Sequence, residues 1–430
     1  MWARTTLLWI FLALTAAVCF TGRAVAELLT ALFPDGVPGY DEDEGVTVQT
    51  RLHPEQMPLG LREGAFTFLP QLDQSVGYTS NALPGRYRRG SWEVVTAPTL
   101  AVGSGWSRDS LGALVSVHDT RYLSLPSQNR TDVTASLGGR LDIGEAKLTL
   151  AAAHLSQHED RGALDTIASD RPIAFQIDDL RASYLTAAGP WTIEPTLQAT
   201  NWQYSSTTIL GATASQAYRD RVVVQGGVTV NYQFAPLRRA VVVARMVGQD
   251  YTRTPVGQAA PDSTSYQLLA GLDYDDDSVW HWRVLIGGDA RHFASRLYRP
   301  QNTLIAEAGV GWSPSGLTTV SATFSRETGN AEQQGVSGLV YTSARLTIDH
   351  EYLRDLLFHA ALGLQRADFF QGGHQTGATA TLGATWVMNR SARLSISYDQ
   401  TDLRGSGIPA AALVSGYSRG VGLITMRLGL

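Results

Sequence analysis

The chain has nine histidines, and two of them, His154 and His158, stand four positions apart. On a helix that spacing puts two imidazoles on one face, where they can hold a metal. Here both fall where a strand pattern gives way to a loop, so the spacing loses that meaning. His158-Glu159-Asp160 also lacks the second histidine of a zinc-protease helix. A hydrolase would need a serine, a histidine and an acid brought together in space. Serines are plentiful, but no local pattern singles one out. Gly138-Gly139 reads as strand glycines that let another backbone come close, not as a phosphate loop. The only cysteine, Cys19, lies in the leader described below. No catalytic, cofactor-binding or metal-ligating residue is expected, and the chain is not expected to be an enzyme.

The charged residues that alternate with apolar ones carry more information. Asp73, Arg140, Arg245, Asp273, Arg283, Asp289, Glu307, Arg345, Asp349, Arg393 and Arg427 all fall on the polar side of strand-like segments. Facing a water-filled interior, they are candidates to line a lumen and set solute preference. They could equally pair with one another and merely solvate an inner wall, and strand stagger, which decides this, is not readable from sequence.

The elements that would position them run from about Ala65 to Leu430. Between Trp280 and Asp289, Trp280, Trp282, Val284 and Ile286 alternate with His281, Arg283, Leu285 and Asp289. Side chains alternate across a strand, so one face is apolar and the other mostly polar. Arginine at the midplane of a membrane barrel costs roughly 2–4 kcal/mol, so Arg283 must face inward. Other segments repeat the pattern, with lapses such as Leu269 and His350. Trp92, Trp106, Trp191, Tyr232, Phe234, Trp280, Trp312, Tyr352, Trp386 and Tyr398 gather near segment ends, where interfacial girdles belong.

Short turns near 106–108, 144–145, 189–190, 235–236, 275–277, 314–316, 354–355 and 389–390 alternate with nine longer polar stretches. Those stretches lie near 79–91, 120–131, 155–171, 205–217, 249–265, 291–303, 325–338, 366–376 and 399–416. Short periplasmic turns and longer extracellular loops are the asymmetry of an outer-membrane barrel. The expectation is an all-β, transmembrane, up-and-down antiparallel β-barrel of about 18 strands, with 16 as the alternative count.

Of the 430 residues, 44% are hydrophobic and 17% charged, with a net charge of -5 that suggests no nucleic-acid partner. Residues 1–26 read as a signal peptide, with Arg4 as the basic start and Ala24-Val25-Ala26 as the cleavage site. Residues 27–64 contain Pro34, Pro38, Pro54 and Pro58 and the acidic run Asp41-Glu42-Asp43-Glu44. They are expected to form a disordered periplasmic tail, followed by the barrel over 65–430. No plug domain or folded periplasmic domain is visible.

At the C-terminus, Ile424, Met426, Leu428 and Leu430 place apolar residues on one face down to the last residue. This resembles the signal by which barrel-assembly machinery takes up outer-membrane barrels, although most end in an aromatic residue. The stretch Pro58-Leu59-Gly60-Leu61-Arg62-Glu63-Gly64-Ala65-Phe66, running on to Pro70 and then Gly77-Tyr78-Thr79-Ser80-Asn81, resembles the opening of the β-barrel porin 2 family of proteobacterial outer-membrane barrels. The resemblance implies a barrel in the bacterial outer membrane. It hints at an association with exopolysaccharide export, and it carries over no functional residue.

The expected function is passage of hydrophilic solutes, with outer-membrane lipid, small solutes or polysaccharide as partners and no cofactor. The alternative is a non-conducting accessory barrel whose loops bind a partner or surface polymer. A soluble β-propeller is the third class, and it is disfavoured because strands are long and no motif repeats.

Overall fold

A strand with one apolar and one polar face hides its edges and its polar side only by closing with others into a ring. The computed structural model describes residues 33, 36–40, 47–48, 51, 54–83, 88–160, 162–275, 279–407, 414 and 416–430. The expected leader, most of 27–50, and Asp276 and Asp277 of one expected turn lie outside the described residues.

A short strand, β1 (Leu61–Glu63), precedes the wall. The wall begins with β2 (Phe66–Thr79), β3 (Ser91–Ser104), β4 (Ser110–Tyr122), β5 (Arg130–Ile143), β6 (Ala146–His158), β7 (Ala174–Ala188) and β8 (Trp191–Tyr204). A small hairpin in the next loop is formed by β9 (Thr207–Ile209) and β10 (Ala212–Ala214). The wall resumes with β11 (Arg221–Ala235), β12 (Arg238–Tyr251), β13 (Ser263–Asp275), β14 (Trp280–Phe293), β15 (Gln301–Ser315) and β16 (Thr318–Gly329). It ends with β17 (Leu339–Leu353), β18 (Leu356–Phe369), β19 (His374–Asn389), β20 (Ala392–Ser406) and β21 (Gly416–Gly429). Among the described residues these make eighteen wall strands, each antiparallel to its neighbours, and β2 pairs with β21 to close the ring. Eighteen, not sixteen, is therefore the count.

The closing seam explains Pro70. Residues Phe66–Phe68 of β2 pair with β1, and from Gln71 onward β2 pairs with β21. Pro70 stands at the handover, where a residue with no N–H leaves no donor unmatched. Its carbonyl accepts from Leu430 N (3.3 Å), and Leu430 O accepts from Gly60 N (2.9 Å).

The outer face is an apolar belt. On β18, Leu356, Phe358, Ala360, Leu362 and Leu364 point outward, and then Arg366 and Asp368 form an ion pair (2.7 Å). Nine residues of tilted strand is the length that spans a bilayer core. Aromatic pairs ring the short-turn end: Trp191–Tyr232 (4.5 Å between centroids), Trp280–Trp312 (5.2 Å) and Tyr352–Phe358 (5.8 Å). Tyr78–Trp92 (5.7 Å) marks the other edge.

The strands run on past this belt at the long-loop end. Two stretches expected as loops are therefore in good part strand: 366–376 shrinks to a connection between Phe369 and His374, and β20 continues to Ser406. Outward residues such as Gln400, Asp402 and Arg404 are polar because they stand above the hydrocarbon, and polarity alone read as loop.

Leu269, a lapse in the alternation, has a physical place. It joins Val241, Val243, Leu285 and Ile305 in a buried cluster on the inner side of β12–β15. His350, the other lapse, points outward near the short-turn end and bonds Thr318 Oγ1 through Nδ1 (2.9 Å).

Candidate functional site

The interior is the candidate site, and long-reaching side chains identify which face is inner. Arg245 on β12 donates to Glu307 on β15 (2.7 Å) over two intervening strands, a reach that only the concave side allows. Arg291 on β14 likewise reaches Gln249 on β12 (3.1 Å). Every residue of the same parity along those strands shares this face.

The eleven charged candidates stand on the inner side of the wall, and register decides which meet. Asp73 and Arg427 face each other across the seam in a bidentate pair (2.8 and 2.9 Å). Arg393 is the cross-strand neighbour of Arg427 and donates to Gln56 O (3.4 Å). Asp273 meets Arg239 (3.2 Å) and lies opposite Arg283 in register. Asp289 accepts from Gln267 Nε2 (3.1 Å) and from Thr328 Oγ1. Asp349 bonds His359 Nδ1 (2.7 Å). Arg140 and Arg345 are also partnered. Asp73–Arg427 and Arg245–Glu307 each join two of the eleven. The remaining partners, such as Arg239 and His359, were not singled out from sequence.

Because Arg245 and Glu307 are both partly exposed, their pair contributes at most about 1 kcal/mol. Glu307→Gln is expected to leave the urea midpoint nearly unchanged while shifting any ion preference toward anions. Paired unfolding and reversal-potential measurements check this.

At the long-loop end the interior is packed. Leu164 and Ile167 of the 159–173 loop lie in one cluster with Phe175, Ile177, Trp202 and Tyr204 of the near wall, and with Leu339, Tyr341, Leu403 and Tyr417 of other strands. Asp165 pins this arrangement. Its Oδ2 accepts from Glu332 N (2.6 Å) and its Oδ1 from Gln333 Nε2 (3.2 Å), both in the 330–338 loop. Its own N–H donates to Gln375 Oε1 (2.6 Å), and Gln375 Nε2 donates to Val414 O (3.0 Å). Asp165 is buried and has φ 61°, a left-handed backbone that few side chains adopt without cost.

Arg219, from the loop after β8, closes the same cluster. It forms ion pairs with Glu159 and Glu332, and its guanidinium lies 3.9 Å from the Tyr204 ring centroid. Burial and then the nearby Glu332 carboxylate push Asp165 well above the usual carboxylate range. Burial works against the Arg219 charge, but Glu159 and Glu332 outweigh it and raise its pKa.

Sequence gave no warning of Asp165, Arg219 or Glu332, which lie in polar loops with no periodic frame. Gly138 did give a signal. The close backbone approach expected there is made by Pro38: a Cβ added to Gly138 would lie 1.9 Å from the Pro38 carbonyl oxygen. Phe33, Val37, Tyr40 and Val48 are buried, so these described positions are packed where a free tail was expected. His154 and His158 do not converge on a common ligand site: His154 pairs with Asp178 (2.7 Å) and His158 with Asp132 (2.8 Å). No group of three or more metal-capable side chains occurs among the described residues.

Comparison with solved structures finds likenesses at low identity. The outer membrane protein OpdK from Pseudomonas aeruginosa is 12% identical, with a TM-score of 0.44, over 84% of this chain and 99% of that one. A BenF-like porin from Pseudomonas fluorescens is 10% identical (TM-score 0.45; 85% and 99% covered). OccAB3 from Acinetobacter baumannii is 8% identical (TM-score 0.45; 86% and 100% covered). No curated protein sequence matches the chain. The family model described as "Putative beta-barrel porin 2" matches residues 53–418, nearly the whole wall. The chain is therefore a member of that family, a porin-like β-barrel of the bacterial outer membrane.

Proposed function

We propose that this barrel carries hydrophilic solutes across the outer membrane through its interior, and that loops packed in its extracellular mouth control the route. The observation that supports this most is the inner ring of charged side chains, which an unwetted core would not tolerate in such number. Both signs are present and mostly paired, so the reading is of a polar passage without strong charge selection. Outer-membrane lipid covers the apolar belt, and the apolar alternation down to Leu430 suits uptake by the barrel-assembly machinery. A role beside exopolysaccharide export rests on family resemblance alone.

A second reading is favoured by one observation. The mouth is packed with an apolar cluster and buried ion pairs, which also suits a non-conducting barrel that presents its loops to a partner. Planar-bilayer recording of the purified protein separates the two. Discrete ohmic openings, with sugar flux limited by size, support passage. Silence that persists after the Asp165 pin is removed supports the accessory barrel.

A further inference from the structure

Tyr40 and Val48 are eight positions apart in the chain but bind different sides of the ring. Gly36–Tyr40 lies on the inner face of β4–β7. Val48 N donates to Thr319 Oγ1 on β16 (3.2 Å), and β16 is nine strands on from β5 in the ring of eighteen. Beyond it, Arg51 Nη1 donates to Gly316 O (2.9 Å) and Gln56 Nε2 to Arg354 O (2.6 Å), both in short periplasmic turns. Gly36–Tyr40 and Val48 thus lie against opposite walls of the ring.

The receiving wall is shaped for this segment. Gly112 and Gly138 are cross-strand partners on β4 and β5. A Cβ on Gly112 would lie 2.7 Å from Pro38 Cδ, and the three atoms nearest to a Cβ at either glycine all belong to Gly36–Pro38. Paired glycines weaken a strand unless another backbone needs the space, and here one occupies it. Beside this notch, Tyr40 donates its hydroxyl to Asp179 Oδ2 (3.2 Å). Asp179 is buried and is held by Thr200 (2.6 Å), Gln198 (2.6 Å) and Arg181 (2.9 Å). The Arg181 guanidinium lies over both the Phe33 and Tyr40 rings, 4.4 and 4.5 Å from their centroids.

We propose that this is a binding site for the chain's own N-terminal segment, and that the docked Phe33 and Gly36–Tyr40 act as a resident plug in the barrel interior. The plug rests on the passage reading above, because obstruction has meaning only if solutes would otherwise pass.

The mature chain contains no cysteine if the leader is removed, so Val37→Cys gives a single thiol. In the full mature chain, that thiol should react slowly with a membrane-impermeant maleimide. Adding Gly138→Val, which fills the notch while leaving the segment's own sequence unchanged, should speed the reaction at least tenfold. In an Asp165→Ala background, where the extracellular pin is gone, Gly138→Val should also raise unitary conductance at least twofold. Rapid labelling with Gly138 intact overturns the docking. Slow labelling that Gly138→Val accelerates, with conductance unchanged, overturns the plug. Equal conductance with and without the wedge sinks the plug alone, whereas silence throughout removes the passage reading and the plug with it. Should Gly138→Val fail to fold, deletion of residues 27–40 gives the same conductance comparison with the wall intact.

Discussion

Asp165→Ala is expected to raise the open probability of the barrel at least tenfold in planar bilayers. Removal of the carboxylate strands two buried donors, Glu332 N and Gln333 Nε2. Each buried group left without a partner costs about 1–3 kcal/mol. Alanine also tolerates the φ of 61° less well than aspartate does. These costs fall on the closed mouth only, and about 1.4 kcal/mol already corresponds to tenfold. Asp165→Asn should fall between the parent and Asp165→Ala, since it keeps the shape and can still accept at one of the two positions.

The same site fixes a pH dependence. Burial and Glu332 raise the Asp165 pKa in the packed state, so protonation favours that state. Its contribution is complete below the ordinary carboxylate value of about 4 and is lost as pH climbs through the raised value. Opening should therefore increase with pH, and Asp165→Asn should flatten that response. Single-channel recording across a pH series in both proteins checks it, and opening that grows on acidification would contradict it.

The second large effect concerns assembly. Ile286 points outward near the middle of β14, paired in register with Ala270 and Ala306 of the flanking strands. Ile286→Arg should destabilise the inserted barrel by roughly 2–4 kcal/mol, the cost of arginine at the midplane. In refolding into lipid vesicles this appears as a lowered urea midpoint and a reduced heat-modifiable band. Arg283→Ala, three positions earlier on the opposite face, should leave both nearly unchanged. An arginine at 286 that folds as well as the parent would mean that this face does not meet lipid.

The wall was legible because lipid imposes a period of two on every strand, as Trp280–Asp289 illustrates. Strand number followed from counting turns such as Gly144-Glu145 and Gly189-Pro190. Pairing was not legible, because stagger, not composition, puts Asp73 opposite Arg427 and Arg245 within reach of Glu307. The mouth was hidden for another reason: Asp165 and Arg219 act through contacts between loops that are distant in sequence. The segment around Tyr40 looked like a tail because it has few apolar residues. Three of them, Phe33, Val37 and Tyr40, are buried against a wall already shaped by Gly112, Gly138, Asp179 and Arg181.

Single cysteines at Val284, Leu346, Arg283 and Arg345, placed one at a time in a chain that lacks Cys19, test inside against outside directly. A probe confined to the bilayer core should label positions 284 and 346, and a small water-soluble reagent entering from the periplasmic side should label 283 and 345. Labelling of 283 or 345 from within the bilayer would reverse the faces of the wall and leave no polar route through it.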